Sequence, residues 1–444
     1  MDDFHCMPEQ LDQFLYTGNY ARVEDLTRYK HHGFHPIILG DVLPKPGAHV
    51  GHPNRVPRYR ILLKLGFGAF ATVWLARDLV NKRCVSLKVC VGSDAPEVST
   101  ETAILSELRK PGQDKVGFER IIQLLDVFTI KGPNGFHECL VTEVISPLSD
   151  PDVMDHCSSA ATYQILEGFS FLHEQGIAHG DPHLANFGVA LPQLEQFNAD
   201  DITEYFANPE VIPVVPRDPS FPLSSIPPYV TPCVSIADFL QSMKSFPAEP
   251  TMCIKILDFG RAHRTSDKPT SLPGAAPIMV RPPEVVLHDK SGGRAGSVWS
   301  ESADIWAVGC IIYQIESGSE LISTWGSLDD YLLRTFQLGG PPPNAWSSFW
   351  TTGSGHGNEQ YAKTWPETDG GDFRSRDEAW RKHEAGRSSS RSSRDGKRQL
   401  FLDLVKKMIV TDPDERSPMA DLLGHSYFSK GKKAEAINGP GQAT

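Results

Sequence analysis

The sequence lacks several features that would place the chain outside the cell. Its 444 residues contain eight cysteines, and no two of them form a Cys-x-x-Cys pair, so we predict neither a disulfide framework nor a zinc site built on them. The first ten residues, MDDFHCMPEQ, are acidic and lack the basic and apolar regions of a signal peptide. We therefore expect an intracellular protein, in the cytoplasm, the nucleus or both.

Long hydrophobic runs and an excess of positive charge are also missing. The longest strongly apolar segment, 305–315, is shorter than the ~20 residues that cross a bilayer, so no membrane association is expected. The formal net charge of -12 argues against a nucleic-acid surface spread over the chain and is compatible with basic protein substrates. The 40% share of hydrophobic residues is enough for a sizeable core.

The chain pattern predicts an α+β protein of two lobes. Residues 1–57 form an N-terminal extension, 58–146 a small lobe with mainly antiparallel strands, 147–430 a large, mainly helical lobe, and 431–444 a polar tail. One helix of the small lobe is expected over about 96–110, with Pro96 at its start. Two insertions interrupt the large lobe. The first, about 191–251, is rich in proline and is expected to lie on the surface, and the second, about 345–398, is rich in Gly, Ser and Arg and is expected to be mobile in part.

A glycine-containing stretch, LGFGAFATV, joins two predicted strands. Gly66 and Gly68 permit a tight hairpin whose backbone can approach phosphate oxygens, and Val73 can cover an adenine. A Gly-x-Gly pair alone is weak evidence, since many plain hairpins contain one. The candidate nucleotide-binding residues are Leu65, Gly66, Phe67, Gly68, Ala69, Phe70, Ala71, Thr72, Val73, Lys88, Glu143 and Val144.

Charged residues with defined spacing follow this hairpin. Lys88 lies in the apolar strand VSLKV, where a lysine either snorkels to water or grips anionic phosphates. Its expected carboxylate partner is Glu101, with Glu97 as the competing candidate; Glu101 is favoured because Ile104 and Leu105 then lie on the core face. Farther along, HGDPHLAN places Asp181 to accept or orient a hydroxyl proton and Asn186 to hold Mg²⁺, and ILDFG places Asp258 at a strand end, suited to Mg²⁺ and phosphates.

Taken in order, these motifs resemble the eukaryotic protein kinases. The resemblance adds RPPEVVL, SADIWAVGC and DPDERSP, and spans about 59–428. It implies a bilobal protein kinase fold that uses ATP and Mg²⁺, with Lys88, Glu101, Asp181, Asn186 and Asp258 as the catalytic set and with Asn186 and Asp258 as the metal ligands. It also implies that Glu284 pairs with Arg416 and that Asp304 supports the backbone of the catalytic loop.

A closer resemblance, carried by DLTRYKHHGFHPIILGDVL and RYRILLKLGFGAFATVWLARD, is to the SR-protein kinases. It implies a monomeric serine/threonine kinase that phosphorylates Arg/Ser-rich proteins and regulates mRNA splicing, with no direct nucleic-acid partner. Asp329 and Asp330 are candidate contacts for substrate arginines, although the favoured interpretation is a solvated helix start with stabilising charge near its N-terminus. The stretch RSSSRSSR, 387–394, is either a site of autophosphorylation or an ordinary polar loop.

Two residues depart from the kinase pattern. Gly180 stands where most kinases have Arg, which predicts activity without phosphorylation of the activation loop. His183 stands where a Lys contacts the γ-phosphate, and it either donates a hydrogen bond there or only fills space. Two alternatives therefore stay open, a nucleotide-binding scaffold without catalysis and a small-molecule phosphotransferase, whose catalytic loops also read HGD-x-H-x-x-N.

Overall fold

The computed structural model describes residues 12–15, 23–52, 54–109, 115–154, 156–157, 159–206, 211–248, 251–267, 276–322, 324–346, 373–385 and 391–428. The chain divides into two compact units. The first is Met1–Lys110, Ile122–Val153 and Val189–Met252, and the second is Pro111–Ile121, Met154–Gly188 and Cys253–Thr444. The lobe boundaries expected from the sequence stay a prediction, and the first insertion falls within the first unit.

Strands and helices alternate unevenly along the chain. The strands are β1 Val42–Leu43, β2 Tyr59–Phe67, β3 Ala71–Asp78, β4 Arg83–Cys90, β5 Leu124–Gly132, β6 Gly135–Thr142, β7 Ile145–Pro147, β8 Ile177–Ala178, β9 Phe187–Ala190, β10 Ile212–Pro213, β11 Tyr229–Val230, β12 Ile254–Ile256 and β13 His263–Arg264. The helices are α1 Thr100–Leu108, α2 Pro151–Met154, α3 Ser159–Glu174, α4 Ala199–Tyr205, α5 Ile236–Ser242, α6 Pro283–Ser291, α7 Glu301–Ser317, α8 Leu328–Gly339, α9 Phe373–Ala385, α10 Arg391–Lys406 and α11 Met419–Leu423. No helix within the described residues combines the length and apolar character that a membrane span needs.

Six strands of the first unit form one sheet in the order β1-β2-β3-β4-β6-β5. Every neighbouring pair in it is antiparallel. Branched and aromatic side chains alternate along these strands, so one face buries a core that includes Ile61, Trp74, Val85 and Val141. This sheet fixes the register of the strands that carry the glycine-containing hairpin and Lys88.

Helix α1 begins later than the sequence pattern predicted. Its first residue is Thr100, and the expected start at Pro96 is wrong. The Ser99 side chain accepts a hydrogen bond from the backbone N–H of Thr102, at 3.1 Å, which satisfies one of the unpaired donors of the first turn. The hydroxyl cap therefore decides where this helix starts, and the proline lies outside it.

The first insertion contributes to a core as well as to the surface. Ile212, Val214, Ile226 and Val230 pack in one buried cluster with residues of the N-terminal extension, including Phe14. The backbone joins the same two segments, since Leu15 N–H donates to the carbonyl of Val215 at 2.8 Å and Arg217 N–H donates to that of Gln13 at 2.8 Å. The expectation of a surface position is therefore wrong for these buried residues, because two segments distant in sequence supply each other's apolar neighbours.

The second unit is built mainly from helices. Helix α7 buries most of its length, including Trp306 and Ile311, which are both 0% exposed. Part of the second insertion also folds: α9 and the start of α10 lie within 345–398. Trp380 of α9 packs edge-on against Phe401, with ring centroids 5.6 Å apart, so aromatic packing offsets the polar composition. Residues 347–372 and 386–390 of this insertion, and the tail 431–444, lie outside the described residues.

Candidate active site

The glycine-containing hairpin connects β2 to β3. Gly66 pairs with Val73 and Phe67 with Thr72, and Gly68 N–H donates to the carbonyl of Ala71 at 2.9 Å across the turn. A Cβ added at Gly66 or Gly68 would meet nothing within 4 Å, so open space adjoins the backbone on that side. The stretch from Leu65 to Val73 thus forms a hairpin with space for a ligand at its two glycines.

Sequence patterns did not reveal the residue that holds the tip of this hairpin. The guanidinium of Arg28, in the N-terminal extension, donates to the carbonyl of Ala69 and lies over the Phe34 ring, 5.3 Å from its centroid. On the other side, Val91 N–H donates to the carbonyl of Phe70 at 2.8 Å. Contacts between segments so far apart in sequence leave no local signal.

Lys88 on β4 pairs with Glu101 of α1. The Lys88 Nζ atom lies 2.5 Å from Glu101 Oε2, and the two side chains are 22% and 9% exposed. Glu97 lies before the helix and is exposed. The partial exposure of Lys88 leaves its ammonium accessible, while the charged hydrogen bond fixes the direction of the side chain.

Glu143 and Val144 follow β6 in the same unit. Glu143 N–H donates to the carbonyl of Gln123 at 3.3 Å, and Leu191 N–H donates to the carbonyl of Val144 at 3.0 Å. The Val144 carbonyl is therefore already an acceptor within the protein. The structure leaves the expected contact of this segment with a nucleotide as a prediction.

In the second unit, a buried carboxylate binds the backbone of the stretch HGDPHLAN. Asp304 of α7 accepts from the backbone N–H groups of His179 at 2.7 Å and Gly180 at 3.2 Å, which confirms its expected support of this loop. Trp299 Nε1 donates to the same carboxylate at 2.8 Å. Burial raises the pKa of Asp304, but the hydrogen bonds and charges of His173, His179 and Trp299 together outweigh burial and lower it. The carboxylate stays ionised and organises the loop.

His179 joins this loop to the segment that carries Asp258. Its Nε2 atom lies 2.9 Å from the carbonyl oxygen of Leu257, and its Nδ1 atom accepts from the backbone N–H of Asp181 at 3.3 Å. Burial lowers the pKa of His179, so the ring is neutral and can donate from one nitrogen while it accepts at the other. The His179 ring thereby connects the segment of Asp181 to the segment that ends in Asp258.

Asp181 is a half-buried carboxylate with an unusual environment. Its Oδ1 atom is buried and makes no hydrogen bond among the described residues. Burial raises its pKa to about 7, the charge of Asp258 adds to the increase, and Arg261 and Arg281 oppose it. A carboxyl group with a pKa near the working pH suits the acceptance of a proton.

Asp258 and Asn186 are the candidate metal ligands in the same unit. Asp258 adopts φ +57, a left-handed conformation that is rare for residues other than glycine and marks local strain. The Asn186 amide nitrogen donates to the carbonyl of Asp181 at 2.8 Å, so the amide oxygen remains as the ligand atom. A carboxylate and an amide oxygen are donors that Mg²⁺ prefers.

Gly180 is required by the backbone. Its φ is +83, and an added Cβ would lie 2.4 Å from the carbonyl oxygen of Arg261. Any side chain would therefore force the loop or the segment of Arg261 to move. The sequence suggested only that an arginine was missing, whereas the structure shows a close approach of two backbones.

His183 lies beside Asp181 without bonding to it. Its Nε2 atom is 3.9 Å from Asp181 Oδ2, beyond hydrogen-bond distance. Burial lowers the pKa of His183, the neighbouring His179 lowers it further, and the charge of Asp258 opposes both. His183 is therefore neutral near pH 7 and cannot replace the permanent charge of a lysine.

The predicted site residues thus fall into two groups. Lys88 and Glu101 come together in the first unit, which also holds the glycine-containing hairpin, and Asp181, Asn186 and Asp258 belong to the second. The expected pair of Glu284 and Arg416 is confirmed, with two hydrogen bonds of 2.6 and 2.7 Å. It is fully buried in the second unit.

Comparison with known proteins agrees with this geometry. Residues 243–428 match the family described as protein kinase domain. A solved crystal structure of a kinase domain covers 86% of this chain and 97% of its own, with a TM-score of 0.50 and 18% identity, which shows the fold. The chain contains a protein kinase domain, and the protein is a serine/threonine kinase. The predicted α+β, bilobal kinase fold is confirmed.

The relatives of this kinase are SRPK-like kinases at modest identity. Protein kinase dsk1 of Schizosaccharomyces pombe is 26% identical over 405 residues, which cover 71% of this chain and 70% of that protein. Serine/threonine-protein kinase SRPK of Physarum polycephalum is 27% identical over 427 residues, or 90% of each chain. SRSF protein kinase 3 of Homo sapiens is 32% identical over 183 residues, covering 39% of this chain and 30% of that protein.

Protein kinases generally use ATP and Mg²⁺, and the residues of this chain fit both. The ligand atoms of Asp258 and Asn186 are oxygens, the donor type that Mg²⁺ takes. Burial and the charge of Asp258 raise the pKa of Asp181, and its buried Oδ1 makes no hydrogen bond among the described residues, so a cation near these two carboxylates would be favourable.

Proposed function

We propose that this kinase phosphorylates Ser or Thr hydroxyls of Arg/Ser-rich proteins and uses ATP with Mg²⁺. The observation that carries the catalytic assignment is Asp181, whose buried Oδ1 makes no hydrogen bond within the described part of the chain and whose pKa burial raises to about 7. The substrate class is supported by the similarity to SRSF protein kinase 3 and by the net charge of -12, which attracts basic chains.

Each site residue then has a separate role. When bound, ATP with Mg²⁺ supplies the phosphoryl group that is transferred. Lys88, oriented by Glu101, binds phosphate oxygens, while Asp258 and Asn186 hold the metal ion. Asp181 orients the substrate hydroxyl and accepts its proton, and the hairpin from Leu65 to Val73 binds the nucleotide together with the segment at Glu143 and Val144.

Asp329 and Asp330 contribute less to substrate binding in this proposal. Asp330 forms a capping box with Ser327 at the start of α8, and Asp329 pairs with Lys290. Both carboxylates thus stabilise the fold locally. They remain partly exposed, so a secondary contact with substrate arginines is compatible with this geometry.

The test is phosphate transfer from radiolabelled ATP to an Arg-Ser repeat peptide, with a Lys-Ser peptide of equal charge as the control substrate. Asp181→Asn should lower turnover at least ~10²-fold, the lower range for acid-base catalysis, whereas Asp200→Asn, an exposed carboxylate on α4, should not. Undiminished turnover by Asp181→Asn excludes the mechanism. Equal transfer to both peptides excludes only the Arg/Ser preference.

Regulation follows from Gly180. Because the loop has no arginine at this position, we expect activity without prior phosphorylation. Phosphatase treatment of the purified kinase should leave its rate unchanged, and loss of activity would contradict this.

The expected monomeric state and the location in cytoplasm or nucleus stay predictions, which sedimentation and imaging of a fluorescent fusion can test.

A further inference from the structure

Away from the active-site residues, three metal-ligating side chains converge in the first unit. His32 Nε2 lies 2.7 Å and His31 Nε2 lies 3.4 Å from the same oxygen, Oδ1 of Asp94. The two imidazole rings lie side by side with centroids 3.9 Å apart and planes tilted by 35°. One ligand atom from each residue lies within 4.8 Å of the other two, so small movements of exposed side chains can bring all three onto one ion.

The backbone beneath these side chains is held from several sides. His32 N–H donates to the carbonyl of Asn134 at 2.9 Å, and Gly92 N–H donates to that of Gly33 at 2.8 Å. Ser93, next to Asp94, exchanges two backbone hydrogen bonds of 2.9 Å with Phe136. The ligands therefore project from two segments whose relative position is already set, which reduces the entropy lost on binding an ion.

His32 adopts a conformation that costs free energy. Its φ is +63, in the left-handed region that residues with a Cβ avoid. A glycine or asparagine would occupy this position at lower cost. The turn nevertheless places an imidazole here, next to a second imidazole, and strain of this kind is common where a side chain has a function.

We propose that His31, His32 and Asp94 bind a zinc ion. Zinc takes three protein ligands plus water in a tetrahedral arrangement with bonds of about 2.0–2.1 Å, which places neighbouring ligand atoms roughly 3.3 Å apart. The His31–Asp94 separation of 3.4 Å already matches this edge, and the His32–Asp94 separation of 2.7 Å must lengthen by roughly half an ångström. All three side chains are exposed, so this adjustment needs no repacking.

Bound zinc would connect the N-terminal extension to the segment before α1. The same N-terminal stretch carries Arg28, which contacts the hairpin tip at Ala69, and α1 carries Glu101, the partner of Lys88. An ion at this position therefore links the two segments that adjoin the nucleotide-binding elements of the first unit. It acts by positioning and does not contact the reacting groups.

The experiment is calorimetric titration of the full-length, chelator-treated kinase with ZnCl₂ in excess Mg²⁺, which occupies the harder oxygen sites. The variants are Asp94→Asn and His32→Gly, and the control is His52→Ala, an exposed histidine elsewhere in this unit. His32→Gly removes a ligand and relieves the strained φ, so a loss of binding cannot be attributed to misfolding.

We expect the wild type and His52→Ala to bind one zinc ion, and each ligand variant to bind it about tenfold or more weakly. Zinc should also raise the melting temperature of the wild type more than that of Asp94→Asn. Equal affinity of wild type and both ligand variants would overturn the proposal, as would the absence of stoichiometric binding, which would leave these side chains as a hydrogen-bonded surface cluster.

Discussion

Two lysine–glutamate pairs lie on the sheet of the first unit, and they differ mainly in their access to water. Lys64 on β2 pairs with Glu24, and both side chains are 0% exposed. Lys88 on β4 pairs with Glu101, and these side chains are 22% and 9% exposed. The chemistry of the two pairs is the same, but only one of them is accessible to a ligand.

The surroundings of the buried pair show that it is structural. The hydroxyl of Tyr29 donates to Glu24 Oε1 at 2.5 Å, and the Lys64 ammonium lies 4.9 Å from the centre of the Trp74 ring. Burial raises the pKa of Tyr29 well above its usual value, and the charge of Glu24 raises it further, so the phenol remains a donor. This pair anchors the N-terminal extension against β2, whereas the pair of Lys88 is partly exposed and in the proposed function contacts a phosphate.

The largest effect should come from breaking the buried pair. Lys64→Met leaves the Glu24 carboxylate buried without its cation, so the free energy of unfolding should fall by about 3–5 kcal/mol. Urea denaturation measures this change. The double variant Lys64→Met/Glu24→Gln should recover much of the loss, because a neutral amide still accepts from Tyr29. A single variant as stable as the wild type would show that the burial of this pair does not govern stability.

Lys88→Met should lower turnover strongly and stability only weakly. In the proposed function, loss of the ammonium should lower turnover about 10²-fold, equivalent to about 2.7 kcal/mol of barrier. The melting temperature should fall less than in Lys64→Met, because the Lys88 pair is less completely buried than the Lys64 pair. Kinase assays and thermal unfolding on the same sample measure both. If Lys88→Met proves much less stable than the wild type, the distinction between the two pairs does not hold.

A smaller effect should come from Asp181, whose charge is poorly compensated. Its pKa is about 7 in the folded protein and near ~3.9 when unfolded, so the folded state binds the proton more tightly. This contribution to stability is complete below about pH 4 and is lost as the pH rises through about 7. Asp181→Asn should therefore raise the melting temperature at pH 8.

The control for this prediction is the same pair of proteins near pH 4, where the difference in melting temperature should be close to zero. Asp258→Asn should also lower the pKa of Asp181, because one of its two causes is removed. A pH-independent difference, or an unchanged pKa in Asp258→Asn, would show that the carboxyl titrates normally.

Local patterns were sufficient for elements whose stability is mostly local. Branched residues in short runs predicted β2, β3 and β4, and ordered motifs placed Lys88, Asp181 and Asp258. The start of α1 was wrong by four residues, from Pro96 to Thr100, because a serine cap competed with the proline signal. The partner of Lys64 was not foreseen, since Glu24 is 40 residues away in sequence.

The sequence by itself determined the fold class and predicted the candidate catalytic groups, because phosphate transfer requires particular side chains at particular spacings. Tertiary structure decided which lysine is buried, why Gly180 must lack a side chain, and how the first insertion shares a core with the N-terminal extension. These outcomes depend on neighbours from distant parts of the chain. Whether a side chain is buried, or two backbones lie close together, depends on how distant segments pack in the folded protein, so no local sequence pattern predicts it.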